Sequence, residues 1–469
     1  MPRDVTAHPY MANSVGAIKQ NMLDEIGIDD VEALFEQIPE QHRLRSPLAL
    51  PEQLRSELDL KRHILSVLSK NSNCEANLSF LGAGCWQHFV PAICDEIIGR
   101  AEFLTNVWGT PSSDHGRNQA LFEFCSQLGE LLKMDMVGLP VYSYGCAAGH
   151  AIRMASRITG RNEVLVPAII DPERLSVIQN YCEPAEMSNH ITVTHVDFDQ
   201  DTGLIDLKDL EEKLSDQIAA VYLEVPSYFG LIETSGHEIS RLTEKFRAET
   251  IVGCDPITLG ILKPPVDYGA SIVVGPVQPL GIHMNCGGGV SGFIASSDHP
   301  RYVQEYNTLN ISITGTEGES KYGFGLSCAG QTSYGLREEG NDWTGNSTYL
   351  WAIAGAVFMS LLGPKGFQEL GELIIQRANY AAIALSRIQG VSVSFSKGIF
   401  KEFVLNFDDT GKSVKEINAR LLERNVFGGK DLSSEFPQFG QSALYCVTEV
   451  HSKEDIELLV IHLNEVLRS

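Results

Sequence analysis

Between residues 120 and 276, short β-branched runs alternate with longer segments of helical period, and this alternation restricts the fold more than any other feature of the chain. "NQALFEFCSQLGELLKM" has helical spacing, and "SYGCAAGHAIRMASRI" follows it after the strand-like "LPVYS". Then come strand "EVLVPAII", helix "PERLSVIQNYCE", strand "ITVTHVDF", helix "LKDLEEKLS", strand "AAVYLEVPS", helix "HEISRLTEKFRAE" and strands "TIVGCDP" and "SIVVGP". Apolar strands separated by helices must be covered on both faces, which predicts an α/β domain with a mostly parallel sheet.

The flanks read differently. Near the N-terminus, "VGAIKQNMLDEIG", "DDVEALFEQI" and "SELDLKRHILSVLSKN" carry apolar residues three and four apart, with Asp29 and Asp30 placed to cap the second segment. After residue 345 a long helical stretch, broken at Gly363-Pro364, precedes strands "VSVSF" and "EFVLNF", helix "SVKEINARLLERN", strand "ALYCVTE" and a last helix "KEDIELLVIHLNEVL". A chain of 469 residues is too long for one ordinary core. The expected division is a helical N-terminal arm at 1–75, a large α/β domain at 76–345 and a smaller C-terminal α+β domain at 346–469. No internal repeat or low-complexity tract is visible.

Sixty acidic against 36 basic residues give a formal charge of −24, which argues against binding a phosphate backbone. Nucleic acid is an unexpected partner. Ten cysteines without a CxxC pair, mostly in apolar stretches, point to reduced core thiols. The N-terminus has no apolar signal core and no apolar run approaches a membrane span, so a cytoplasmic protein with no membrane contact is expected.

In open parallel sheets a ligand sits beyond the carboxyl ends of the strands, and three such ends stand out. In "SYGCAAGHA" Gly145 opens a helix whose exposed N–H groups could cradle a phosphate; a plain strand-to-helix turn is the competing reading. In "VGCDPITLG" Asp255 closes an apolar strand, and a buried carboxylate needs a cation, such as a protonated pyridine nitrogen, or the amides of the following turn. In "GASIVVGPVQPLGIHMNCGGG" a buried strand ends in Gln278 and Pro279, where many cofactor enzymes place a Schiff-base lysine. Lys263 is the last lysine before Lys321. His150 could stack over an aromatic ring or simply pack, and His283 with Cys286 lacks the second pair a metal site needs. "LGAGCW" resembles half of a dinucleotide fingerprint but lacks the strand-turn-helix context.

Four long strings, "HPYMANSVGAIKQNMLDEIG", "SFLGAGCWQHFVPAICDEIIGRAEF", "CDPITLGILKPPVDYGASIVVGPVQPLGI" and "CVTEVHSKEDIELL", give the chain a family likeness along nearly its whole length. It resembles subunit 1 of the two-chain glycine dehydrogenase (decarboxylating), the P-protein of the glycine cleavage system. The resemblance implies a fold-type-I pyridoxal-phosphate-enzyme architecture and an arm that embraces a partner. It implies an oxidoreductase active only within a complex, an α2β2 heterotetramer with subunit 2. The pyridoxal phosphate and its lysine would belong to subunit 2, with none firmly expected in this chain, whose Pro279 stands at the lysine's place. The implied reaction is decarboxylation of glycine with transfer of the aminomethyl group to the lipoyl arm of H-protein. On that reading Gly145, Cys146, His150, Ser227, Asp255 and Gln278 outline a vestigial pocket, and no metal is expected.

Three segments depart from the family pattern: "NVWGTPSSDHGRNQ" at 106–119, Tyr144-Gly145-Cys146-Ala147 in place of a hydroxyl-bearing phosphate turn, and "YGLREEGNDWTGNS" at 334–347. They leave two other readings open: a stand-alone non-catalytic or regulatory homodimer, and a divergent pyridoxal-phosphate enzyme acting on another amino acid, with Lys263 the nearest amine.

Overall fold

The predicted alternation folds as one seven-stranded sheet. After a short β1 (Leu78–Ser79), its strands are β2 (Met136–Val137), β3 (Glu163–Pro167), β4 (Thr192–Val196), β5 (Ile218–Val225), β6 (Glu249–Cys254), β7 (Ile272–Pro276) and β8 (Gly292–Ser296). The spatial order is β2-β8-β7-β6-β5-β3-β4. Strands β3 to β7 pair in parallel, whereas β8 runs antiparallel to both β7 and β2. The short "SGFIAS", with one β-branched residue, hides β8 from a reading based on β-branched runs. "LPVYS" makes only a bridge, Val141 to Gly292, because Pro140 has no N–H to give to a ladder.

Burial on both faces accounts for the unbroken apolar strands. Along β5, Ala220 and Tyr222 enter one core while Val221, Leu223 and Val225 enter the other; Ile272 and Val274 against Val273 repeat the pattern in β7. Helices Tyr144–Thr159 and Pro172–Cys182 cover one face, and helices such as His115–Leu132 cover the other. Each cap is visible in sequence: Ser143 and Asp171 accept from backbone N–H groups in the first turn of their helices.

The computed structural model describes residues 8, 10–44, 46, 48–104, 115–184, 189–288, 290–308, 310–327, 336 and 347–468. Most of the divergent segments 106–119 and 334–347 lies outside these residues. The chain divides into two units, Met1–Ser72 and Asn73–Ser469. Within the first, helices Gly16–Ile26 and Glu57–Leu68 flank 3-10 turns, and Asp30 caps the turn Val31–Phe35 by accepting from Ala33. The second contains the sheet, a hairpin of β9 (Asn310–Gly315) with β10 (Tyr322–Ser327), and a C-terminal portion.

In that portion the strands are β11 (Ser392–Val393), β12 (Glu402–Asn406), β13 (Val426–Phe427), β14 (Lys430–Asp431) and β15 (Ser442–Cys446). Four of them form an antiparallel sheet in the order β11-β12-β15-β14, while β13 pairs with β1. Helix Tyr349–Leu385 leads into it and breaks at Gly363, where φ is 58° and ψ −178°. Its most apolar window reaches a mean hydropathy of 1.4, so this helix is long and apolar enough to cross a membrane by those criteria, correcting the expectation that no such run exists. Many of its apolar side chains lie in the core, with Ala352, Ile353, Phe358 and Ile374 buried in the cluster beneath the sheet.

The turn that receives β12 is tight. Gly230 has φ +76°, and a Cβ there would collide with the backbone carbonyl of Glu402. We expect Gly230→Ala to cost about 3 kcal/mol in urea unfolding, about 1–2 from the left-handed backbone and the rest from the clash. A loss below about 1 kcal/mol would mean that β12 is free to move away from this turn.

Candidate functional site

The carboxyl ends of β5, β6 and β7 open toward the start of helix Tyr144–Thr159, the position at which a parallel sheet holds a ligand. Side chains of this same chain fill the space. The cavity is lined by Gly84, Trp86, Tyr144, Arg174, Glu224, Pro226, Ser227, Tyr228, Asp255, Pro276, Lys401 and Glu402, and its free volume is about 20 Å³. That accommodates about one water.

Asp255 follows β6 and is 5% exposed. Its Oδ1 accepts from the Ile257 N–H at 3.0 Å, and its Oδ2 is ion-paired with Lys401 Nζ. Both anticipated ways of satisfying it are in use, a turn amide and a cation. The Lys401 ammonium also lies 3.3 Å from the centroid of the Trp86 ring, a cation–π contact in a site shut from water.

Beside this pair, Arg174 Nη1 donates to both oxygens of Glu224 at 2.7 and 2.8 Å, and its guanidinium lies 3.9 Å from the centroid of the Tyr144 ring. Tyr222 donates to Glu224 at 2.7 Å. Burial opposes the charge on Arg174, but Glu224, Tyr144 and Asp171 outweigh it and hold the guanidinium charged. Glu402 accepts from the Ala83 N–H at 2.6 Å. Asp171, Glu224, Asp255 and Glu402 thus face only Arg174 and Lys401 as cations. Glu402 takes the consequence: burial raises its carboxyl from 4.5 to about 7, against the pull of Lys401 and the Ala83 N–H.

Of the six outlined pocket residues, the structure brings Ser227 and Asp255 to the cavity. Gly145 does not line it; a Cβ there would press on Val177 of the neighbouring helix, so this glycine serves packing. The Cys146 N–H, a candidate phosphate donor, is taken by Ser143 Oγ at 3.1 Å. His150 is buried edge-on to Tyr181, with ring centroids 4.6 Å apart. Gln278 turns away from the cavity: its amide nitrogen donates to the carbonyls of Trp86 and Ile282 at 2.9 and 3.1 Å, and its oxygen accepts from the Trp86 N–H at 3.3 Å. Pro279 is buried in the same turn and lines no part of the cavity. Lys263 is exposed and lies outside the lining as well. His283 Nε2 meets Asp95, and no metal-ligand cluster occurs among the described residues.

Lys401, Glu402, Trp86, Tyr144, Arg174 and Glu224 escaped the sequence reading. Two signals were available: Lys401 and Glu402 stand together at the head of an otherwise apolar strand, and Glu224 interrupts the apolar run of β5. Lys263 and Lys321 bracket the turn after β7, yet the primary amine that reaches the strand ends is that of Lys401. That amine arrives from the C-terminal portion, some 120 residues beyond Pro279, through a tertiary contact that local pattern does not encode.

The family of the "Glycine cleavage system P-protein" matches residues 10–463. The chain belongs to that family. A P-protein relative from Staphylothermus marinus, named "Probable glycine dehydrogenase (decarboxylating) subunit 1", is 35% identical over 98% of both chains. A crystal structure of glycine decarboxylase (P-protein) of the glycine cleavage system, in inhibitor-bound form, superposes with a TM-score of 0.86 at 27% identity, covering 98% of this chain and 100% of the other. Sphingosine-1-phosphate lyase of Burkholderia pseudomallei shares the fold, with a TM-score of 0.64 at 14% identity over 92% of this chain and 95% of its own. The fold is that of the fold-type-I pyridoxal-phosphate enzymes, as expected. Pyridoxal phosphate is therefore the group to test against the cavity of this P-protein family member. It does not fit: the free volume is about 20 Å³ and the Asp255 carboxylate is already engaged by Lys401.

The raised carboxyl has a measurable consequence. Folding strengthens proton binding at Glu402, so the stability it contributes is complete below pH 4.5 and is lost as pH rises through 7. Glu402→Gln keeps the oxygen facing Ala83 and cannot ionise. Its stability advantage over the wild type should be small near about pH 5 and reach about 2–3 kcal/mol by about pH 8 in urea titrations. An advantage that does not grow with pH would show that Glu402 ionises freely in the fold.

Proposed function

We propose that this chain is subunit 1 of a two-chain P-protein of the glycine cleavage system, acting in the cytoplasm on glycine only in company with a lysine-bearing subunit 2. The observation that supports the reading is the self-filled cavity in a chain of this family, in which Lys401 already engages Asp255. Subunit 2 holds the pyridoxal phosphate, which supplies the electron sink for decarboxylation. The aminomethyl group passes to the lipoyl group of H-protein, and subunit 1 shapes and supports the assembly as half of an α2β2 heterotetramer. The division into arm 1–75, large domain 76–345 and small domain 346–469 belongs to this reading, as does the vestigial character of Gly145, Cys146, His150, Ser227, Asp255 and Gln278.

The arm supports a partner. Ile18, Met22 and Ile26 recur every four residues on helix Gly16–Ile26 and are 42%, 48% and 55% exposed; Leu58, Leu65 and Leu68 are similarly open on Glu57–Leu68. A row of this kind is stable when another chain covers it.

Two measurements test the reading. Mixed with a lysine-bearing family member from the same source, the chain should restore exchange of bicarbonate with the glycine carboxyl; if the partner is equally active without it, the role is refuted. The double change Ile18→Asp with Met22→Asp should weaken association with that partner by about two to four orders of magnitude in sedimentation or titration, each apolar side chain contributing about 1.5–3 kcal/mol when covered. Unchanged association would place the interface elsewhere.

A further inference from the structure

Lys401 is an unusual residue to find at the ends of a parallel sheet. It is 1% exposed, and its backbone lies in the left-handed region at φ 49°, a conformation that a residue with a side chain adopts only when its surroundings impose it. The surroundings are specific. Phe400 N–H donates to the Gly230 carbonyl at 2.8 Å, and Val447 N–H donates to the Lys401 carbonyl at 2.7 Å. Bare glycines at 230 and 82 give the Glu402 backbone and carboxyl the room they occupy. The segment that delivers the lysine is thus clamped on both sides, and its ammonium is directed at one carboxylate and one aromatic face.

The carboxylate is the one at the end of β6 that would otherwise need a cation from a ligand. We propose that Lys401 is a built-in cation for Asp255, an internal ligand that closes the strand-end cavity of this chain to pyridoxal phosphate and pins the head of β12 to the end of β6. The proposal deepens the subunit-1 reading and rests on it only for the identity of the excluded group. Trp86 is the lid of the device: its ring covers the ammonium, and the two-sided hydrogen bonding of its backbone to Gln278 fixes it there. The turn after β7 therefore holds the residue that seals the lysine in place of one that tethers a cofactor.

The test uses the purified full-length chain without its partner. Lys401→Ala leaves a space matching n-propylammonium, so its lowered melting temperature should rise with added n-propylammonium chloride but not with 1-propanol or with sodium chloride of equal ionic strength. Equal responses to all three would overturn the lock. Should Lys401→Ala not fold, Lys401→Met, Asp255→Asn and the double variant decide the point: the double variant should unfold at a denaturant midpoint closer to wild type than Lys401→Met does. Strict additivity of the two single effects would overturn it.

Closure to the cofactor is read separately with pyridoxamine phosphate, which cannot react with surface lysines. Equilibrium dialysis should find no saturable site on the wild-type chain, and one site per chain would overturn closure. After pyridoxal phosphate and borohydride, the peptide bearing Lys401 should be unmodified; a stable adduct on Lys401 would make it a cofactor lysine and overturn the proposal. These outcomes are independent of glycine–bicarbonate exchange. Failure of the lock with intact exchange removes this inference alone, and failure of exchange with an intact lock removes only the subunit-1 reading.

Discussion

A carboxylate and an ammonium withdrawn from water are tolerable only in each other's company. Losing either partner of a buried pair costs about 3–5 kcal/mol, because the survivor keeps its charge without compensation. The pair of Asp255 with Lys401 therefore fixes how the C-terminal sheet meets the main one. Other contacts follow from it. Trp86 must cover the ammonium, which requires segment 78–89 to be held, and the region around β15 holds it: Glu449 accepts from Phe89 N–H at 2.7 Å and pairs with His88 Nδ1 at 2.8 Å, while Thr448 donates to the Gln87 carbonyl at 2.6 Å. His88 and the Phe89 N–H outweigh burial at Glu449 and hold its carboxyl down at about 2, so this carboxylate stays ionised at ordinary pH.

The same position in this fold can be a binding cavity or a piece of interior, and the difference is made by few atoms. In this chain Lys401 neutralises Asp255, Arg174 is neutralised by Glu224, and Tyr144 and Trp86 supply the flat surfaces over which the two cations rest. Each charge that could hold a ligand already holds another side chain.

Much of the architecture was legible in the sequence because its cause is local. Apolar strands between helices dictate a sheet covered on both faces, Asp30 announces the start of a segment that forms a 3-10 turn, and Gly363-Pro364 marks a break that the backbone makes at Gly363. Strand β8 was hidden because it is short and holds a single β-branched residue, and its place depends on antiparallel pairing to β7 rather than on its own pattern. The site was legible only in part. Asp255 and Ser227 sit at strand ends, where position alone singles them out, whereas Lys401 comes from a distant segment and Gln278 faces the opposite way from the cavity. Which way an amide turns is decided by the carbonyls it meets, and one of these, that of Trp86, belongs to a segment nearly two hundred residues earlier.

Helix Tyr349–Leu385 belongs to two interiors at once. Its first part, through Ile374, is packed with the main sheet, and Ala378, Ala381, Ala382 and Leu385 are packed with the C-terminal one. Beyond the break at Gly363 a single helical segment carries Phe367 and Ile374 into one interior and Ala378 to Leu385 into the other, so neither can dissolve without loosening that segment from its neighbour. The two should melt in a single step, with the helix acting as the axle that turns both.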